Sequence, residues 1–226
     1  MKKIFFILIL FSLSGCTTKL IYKNLDWLTY WYVDDYIDFT DKQEALFEQH
    51  LDAWLIWHKK EELPLYLNHF NELARDINRQ QLNADRLTYH QQKFLNHWLR
   101  LKTQMIPGLV SIAPLLSESQ IVDLFKEIDN TNDNIREEFT ENLNKPLKQQ
   151  KEIALKKRTK MVKSWLGKLN NQQEVLIENT YGQYHANRAL WLDYRVRYQI
   201  SVRALFDRGD KGEIFQTELT ELLMFP

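Results

Sequence analysis

The stretch Thr40-Asp41-Lys42-Gln43-Glu44-Ala45-Leu46-Phe47-Glu48-Gln49-His50-Leu51-Asp52-Ala53-Trp54-Leu55-Ile56-Trp57-His58-Lys59-Lys60 decides the fold. It opens with a capping box: the Thr40 hydroxyl can accept from first-turn amides, while the Gln43 side chain reaches back to the Thr40 N–H. Leu46, His50, Leu51, Trp54, Leu55 and His58 then fall along one side at helical spacing. A strand would need strict alternation of apolar and polar residues, which is absent. The stretch reads as a helix from Thr40 to about Lys60.

The same grammar recurs downstream. Pro64 suits the first turn of another helix, where its missing N–H costs nothing. Leu67, Phe70, Leu73, Ala74 and Ile77 form that helix's expected inner stripe. Asn83 can cap the next, to about Met105, with Leu87, Phe94, Trp98 and Leu101 inside. Pro107-Gly108 is expected to break or kink it, leaving Leu109 to Leu116 as a short apolar piece. Ser117 with Gln120 makes a second capping box and opens a helix through Ile121, Leu124, Phe125, Ile128, Ile135 and Phe139. Pro146 marks a boundary. A basic helix follows to Gly167, which suits the position just past a helix end. Asn170 with Gln173 opens the last long helix, to about Arg208, closed by Gly209. Glu213 to Met224 is a short terminal helix.

Upstream, Leu25, Leu28, Tyr32, Tyr36 and Phe39 recur at helical spacing, with Trp27 and Trp31 as a second apolar flank. That predicts a helix buried on more than one side; a strand is the alternative, since aromatics favour strands. The expected fold class is all-α, a multi-helix bundle with several long helices, in which residues 25–226 form the helical domain. Six glycines and five prolines in 226 residues agree with long helices. No repeat of fixed period occurs.

The first residues have the layout of a cleaved secretory leader. Lys2 and Lys3 form a basic start, Ile4 to Leu13 an apolar run, and Leu13-Ser14-Gly15-Cys16 resembles a bacterial lipobox. The run is shorter than the roughly 20 apolar residues a membrane-spanning helix needs. The lipobox resemblance implies a lipoprotein signal peptide over 1–15, cleavage before Cys16, and acylation at the Cys16 thiol and the new amine. Residues 16–24 then form the lipidated N-terminus and a short tether. Several acyl chains hold far better than one. Thr17, where an acid would favour inner-membrane retention, leans the address toward the outer membrane, facing the periplasm.

Cys16 is the single cysteine, so an acylated chain has no thiol left for disulfides, cysteine nucleophiles or thiolate metal sites. The 30 bases balance the 30 acids; loss of Lys2 and Lys3 would leave a slight acidic excess. No global field draws this chain to nucleic acid.

The opening of the chain after Cys16 is similar to a family of Gram-negative lipoproteins classed only as a domain of unknown function. Leu25-Asp26-Trp27, Trp31-Tyr32-Val33-Asp34-Asp35-Tyr36 and the Thr40 to Gln43 turn carry that similarity. It implies an envelope lipoprotein with a helical domain and no assigned activity. Leu116-Ser117-Glu118-Ser119-Gln120 and Leu169-Asn170-Asn171-Gln172-Gln173 resemble the Leu-Thr-x-x-Gln repeat of small periplasmic helical chaperones and stress sensors. Ser and Asn stand where that repeat has Thr, and plain helix capping demands the same residue types.

Chemistry-bearing motifs are sparse. No His-Glu-x-x-His, phosphate loop or nucleophile elbow is present, and no Glu precedes a His by three residues as di-iron bundles require. His50 and His58 could share a face, as could His90 and His97; each is expected to pack with its polar tip at the surface. Asp34, Asp35 and Asp38 cluster in the first helix and are expected to pair with Arg188, Arg195, Arg197, Arg203 or Arg208. No catalytic residue, metal site or cofactor is expected.

The strongest charged feature is the segment from Lys145 to Lys168, where Glu152 is the only acid. On a helix, Leu147, Ala154, Leu155, Met161, Val162 and Trp165 share one face, and Lys145, Lys156, Lys160 and Lys163 lie opposite. That ridge is a candidate site for an anionic partner: lipid phosphates, an acidic glycan or an acidic envelope protein. A solvated surface, or pairing with Glu137, Glu138 and Glu141, would produce the same pattern. The functional expectation is a lipid-anchored binding or structural module of the envelope. The alternative is a chaperone-like or stress-sensing factor that presents an apolar patch when folded.

Overall fold

Every regular element is helical across the described residues of the computed structural model, which are Tyr22 and 24–224, apart from the side chains at 183–186 and 188. The expected lipid attachment at Cys16, and most of the tether, lie outside them. In order the elements are α1 (Leu25–Asp34), α2 (Asp41–Trp57), a π-helical turn (His58–Glu62), α3 (Leu63–Asn78), α4 (Ala84–Ile112), a 3-10 turn (Ala113–Leu115), α5 (Glu118–Leu143), α6 (Leu147–Leu166), α7 (Asn171–Asn179), α8 (Tyr181–Asp207) and α9 (Glu213–Met224). The protein is an all-α multi-helix bundle. Its contacts divide into two compact units: one runs to Leu124 and resumes at Gly209, and the other is Phe125–Arg208.

In the first unit α4 is the spine against which α2, α3 and α9 lie. Phe47, Leu51, Trp54 and Ile112 form the core, with Tyr30, Val33, Phe39, Leu46 and Leu55 packed on it. The expected inner stripe of α2 thus holds at Leu51 and Trp54 and also includes Phe47. α1 contributes only half-buried side chains. Trp27, Trp31 and Tyr32 are 60–62 % exposed, so the expectation of burial on several sides fails. The helix also stops at Asp34 instead of continuing through Asp38.

The two N-terminal capping boxes in this unit form as read, and they meet. The Thr40 N–H donates to Gln43 Oε1 at 2.9 Å, and the Ser117 N–H to Gln120 Oε1 at 2.9 Å. Each glutamine then donates across: Gln43 Nε2 to Gln120 Oε1 (3.0 Å), and Gln120 Nε2 to Gln43 Oε1 (2.7 Å). Gln43 also donates to the Leu115 carbonyl and Gln120 to that of Asp38. Both amides are buried and fully engaged, so each cap doubles as a long-range clasp between the starts of α2 and α5.

Two expected breaks are absent. α2 passes into α3 through the π turn, where the Leu63 N–H bonds to the His58 carbonyl five residues back. The widened turn absorbs Pro64, which has no N–H to give. α4 likewise continues through Pro107. A proline inside a helix costs about 3 kcal/mol, offset here by burial of Ile106, Gly108, Val110 and Ile112 on the same segment. Gly108 sits under two rings. A Cβ there would lie 2.6 Å from Trp54 Cζ2 and 2.9 Å from the His50 ring. His50 stacks on Trp54 and bonds to the Ser111 hydroxyl at 3.0 Å, which in turn donates to the Gly108 carbonyl at 2.7 Å. Neither ring is free to move aside. Gly108→Ala should therefore cost about 1–3 kcal/mol, read as a lowered denaturation midpoint; an unchanged midpoint would show that α2 and α4 can separate freely.

The second unit contains the rest of α5, with α6, α7 and α8. Phe125 meets Phe206 edge-on at 5.8 Å. Buried Asn132 donates to Gln199 (2.6 Å) and accepts from Arg195 (2.9 Å). Gln150 closes the α5–α6 connection by donating to the Leu143 and Lys145 carbonyls. The Asn170–Gln173 box forms, but the helix it opens ends at Asn179, where one long helix was expected. The Thr180 hydroxyl bonds to the Leu176 and Ile177 carbonyls at this end, sharing the first with the Thr180 N–H.

Candidate functional site

α3 and α4 form an antiparallel hairpin joined by a short loop over residues 79–83. Its interior is polar. Glu62, His69 and Asp76 line α3 and the π turn at heptad spacing, while His90 and His97 line α4 at the same spacing. Residues seven apart stay within about 20° of one another on a helix, so both sets face the seam. The five side chains form one hydrogen-bonded chain. Glu62 Oε1 meets His97 Nδ1 at 2.5 Å, and His97 Nε2 meets His69 Nδ1 at 3.1 Å. His69 Nε2 meets His90 Nδ1 at 3.1 Å, and His90 Nε2 meets Asp76 Oδ2 at 2.9 Å. Exposures of 0 % at Glu62, 2 % at His69, 1 % at His90, 7 % at His97 and 8 % at Asp76 put the chain out of reach of bulk water.

A basic group closes each end. Arg100 grips Glu62 with Nε at 2.7 Å and Nη2 at 2.9 Å. Arg86 holds Asp76, with Nε at 2.8 Å, and also reaches Glu72 at 3.0 Å. Lys93 bonds to Glu72 at 2.5 Å. Glu62, Glu72 and Asp76 are thus matched by Arg86, Lys93 and Arg100, which removes the penalty of an unpaired buried charge. Tyr66 sets its ring edge on His97 at 4.5 Å, Phe94 covers His69 at 4.6 Å, and Tyr89 lies beneath the Arg86 and Lys93 cations. These rings seal the seam.

The chemistry follows from the wiring. Three neutral imidazoles carry three N–H groups, which the four links share. Every ring nitrogen already has a partner, which leaves none for a substrate. Among the described residues no group of three or more histidine, cysteine or acidic side chains is placed to share a metal ion.

Burial pushes the Glu62 carboxyl up, but the bonds from Arg100 and His97 outweigh it and leave it below the usual range. Bonds from Arg86 and His90 lower Asp76, and the Lys93 bond takes Glu72 down to about 2. Burial, with His97, His90 and Lys93 nearby, holds His69 below its ordinary 6.5. A depressed carboxylate stabilises the fold above its unfolded value and loses that contribution as pH falls through the folded one. A histidine held neutral acts in the same direction below 6.5. The melting temperature should begin to fall below pH 6.5 and keep falling from 4.5 toward 2, the Glu72 window. A flat profile from pH 7 to about pH 3 would contradict this.

Most of the expected inner stripes of the hairpin face outward instead, with Leu73 and Leu101 half-buried. Leu67, Phe70 and Ile77 are 62, 50 and 53 % exposed, and Leu87, Phe94 and Trp98 are 58, 44 and 59 % exposed. Phe70 and Phe94 touch, ring centroids 5.9 Å apart. Antiparallel register then sets Ile77 level with Leu87, and Leu67 close to Trp98. The polar seam and the apolar face are two separate stripes on the same pair of helices. The histidines correct the expectation of surface tips: His90 and His97 do share a face, but it is the buried one. Glu62, His69, Asp76, Arg86 and Arg100 were not singled out from sequence, although their seven-residue spacing was visible there.

The model of a family of unknown function, DUF6279, matches residues 35–226. The chain belongs to this family. No curated protein and no solved structure matches it. The matched region spans the hairpin and both compact units, and begins after the Leu25 to Asp34 segment on which much of the sequence resemblance rested.

In this DUF6279 chain the four lysines of the expected ridge fare differently. Lys145 donates to the Glu141 carbonyl at 3.0 Å, and Lys163 pairs with Glu174 at 3.4 Å. Lys156 and Lys160 are exposed. The face opposite them is half-buried at Ala154, Leu155 and Val162. It is open at Leu147 (80 %), Met161 (56 %) and Trp165 (84 %), where burial was expected. Among the described contacts, Arg195, Arg197 and Arg203 bond to Asn132, Asp193 and Asp129, and Asp34, Asp35 and Asp38 are solvent-exposed. A separate apolar cavity of about 360 Å³ opens between α1, α2 and α4, lined by Leu25, Val33, Leu51, Trp54, Leu101 and Met105 among others. At its edge His58 Nδ1 meets the Tyr22 hydroxyl at 3.0 Å.

Proposed function

We propose that this protein is a lipid-anchored envelope lipoprotein that faces the periplasm, at the outer membrane, and acts as a binding module. The lipobox resemblance at Leu13-Ser14-Gly15-Cys16 supports the anchor, and the exposed apolar face of the α3–α4 hairpin carries the binding role. Apolar side chains grouped on one face of a folded protein mark an interaction site more often than not. An enzymatic role has no such support, because the imidazoles of the seam have no free nitrogen. Lys156 and Lys160 add a candidate contact for an anionic lipid or glycan, whose binding would fade with salt.

Cys16→Ser should abolish incorporation of a metabolic fatty-acid probe and release the chain from the membrane fraction or leave it unprocessed. Label that persists in the variant would refute the anchor. The alternative of a chaperone-like factor draws on the same aromatic face. It requires that the unlipidated protein suppress aggregation of an unfolded client, and loss of suppression in a Phe94→Glu variant would tie that effect to the hairpin.

A further inference from the structure

We infer that the apolar face of the α3–α4 hairpin is a homodimer interface, on which a second copy of this chain seats the same face to close a four-helix bundle. The inference rests on reading that face as the binding surface.

Spacing favours a helical occupant. Leu67, Phe70 and Ile77 on α3, and Leu87, Phe94 and Trp98 on α4, are exposed and recur at steps of three, four and seven, the pattern by which helices receive helices. Leu95 and Leu99 widen the exposed apolar side of α4. Two antiparallel helices with level rungs Ile77/Leu87 and Phe70/Phe94 are one half of a bundle, open on one side.

Area supports the same occupant. An aromatic side chain has about 150–250 Å² to bury, so Leu67, Phe70, Ile77, Leu87, Phe94 and Trp98 at their exposures offer roughly 600 Å² per copy. A standard interface takes about 800 Å² from each partner, roughly 500 Å² of it apolar. Two-fold closure is also the commonest symmetry among oligomers, and it requires only that the patch match itself. The polar interior keeps the hairpin rigid: its helices are held together by hydrogen bonds and ion pairs, with the contacts of Phe94 to His69 and Phe70 added to them.

The test uses the full chain in its own membrane. A photo-reactive phenylalanine analogue replaces Phe70, and two copies with different tags are co-expressed. Irradiation should give an adduct of twice the chain mass that carries both tags. The same analogue at Asn68, on the other flank of α3, should give none. Trp98→Glu should cut the mixed-tag yield at least tenfold, with helicity by circular dichroism unchanged. An adduct at Phe70 with a different protein or with lipid, lacking the second tag, overturns the dimer and leaves the binding module standing. An adduct confined to the chain's own residues, or no signal above Asn68, overturns both.

Discussion

Glu62→Ala should destabilise the protein by about 3–5 kcal/mol, the cost of removing one partner from a buried ion pair. Glu62 is fully buried and accepts from Arg100 twice and from His97 once. Its loss removes the anion from between Arg100 and His97. Water can reach the Arg100 side chain, which is 40 % exposed, while the His97 side chain, at 8 %, keeps only Arg100 Nη2, 2.5 Å away, at its Nδ1. Glu62→Gln separates charge from shape: it keeps an oxygen for one donor and loses the anion, so it should fall between wild type and alanine. Chemical denaturation is the measurement. A midpoint for Glu62→Ala within about 0.5 kcal/mol of wild type, the range of ordinary surface changes, would mean that the seam does not hold the hairpin.

Phe215→Ala is the second large effect, expected at about 3–5 kcal/mol. Phe215 is 1 % exposed and Leu219, one turn on, is 3 % exposed. Together they seat α9 on α4. Among the described ties at this end are Lys102 to the Met224 carbonyl at 2.8 Å and Lys211 to the Leu116 carbonyl. A truncated Phe215 leaves a cavity that these bonds cannot close, and α9 should become protease-sensitive before the rest of the unit. If cleavage in Phe215→Ala starts elsewhere and stability is unchanged, α9 is an appendage rather than part of the core.

How much of this was legible in sequence can be read residue by residue. Capping depends on side chains three positions apart, so Thr40–Gln43, Ser117–Gln120 and Asn170–Gln173 were readable as helix starts, and Glu213 to Met224 was readable as the terminal helix. That Gln43 and Gln120 would find each other was not, because nothing local encodes a partner 77 residues away. The hairpin was read inside out. An apolar stripe tells which side of a helix has chemistry in common, but burial of apolar residues is a one-way rule. On α3 and α4 the buried stripe is Glu62, His69, Asp76, His90 and His97. Its signal was a polar heptad on two neighbouring helices, with Arg86, Lys93 and Arg100 repeating beside it. The helix break at Thr180 and the continuity through Pro64 and Pro107 turn on single carbonyls, which propensity does not resolve.

The discontinuous first unit has a consequence for how the protein is made. A chain synthesised from its N-terminus delivers its parts in order, so α2, α3 and α4 emerge while α9 does not yet exist. All of Phe125–Arg208 must follow before Glu213–Met224 appears. Until then the flank of α4 that α9 covers is bare, and the nascent chain carries apolar surface that only its last residues can hide. Synthesis therefore reaches the step that completes the first unit only after the second has emerged, and a chain that loses α9 keeps a complete second unit while its first stays open.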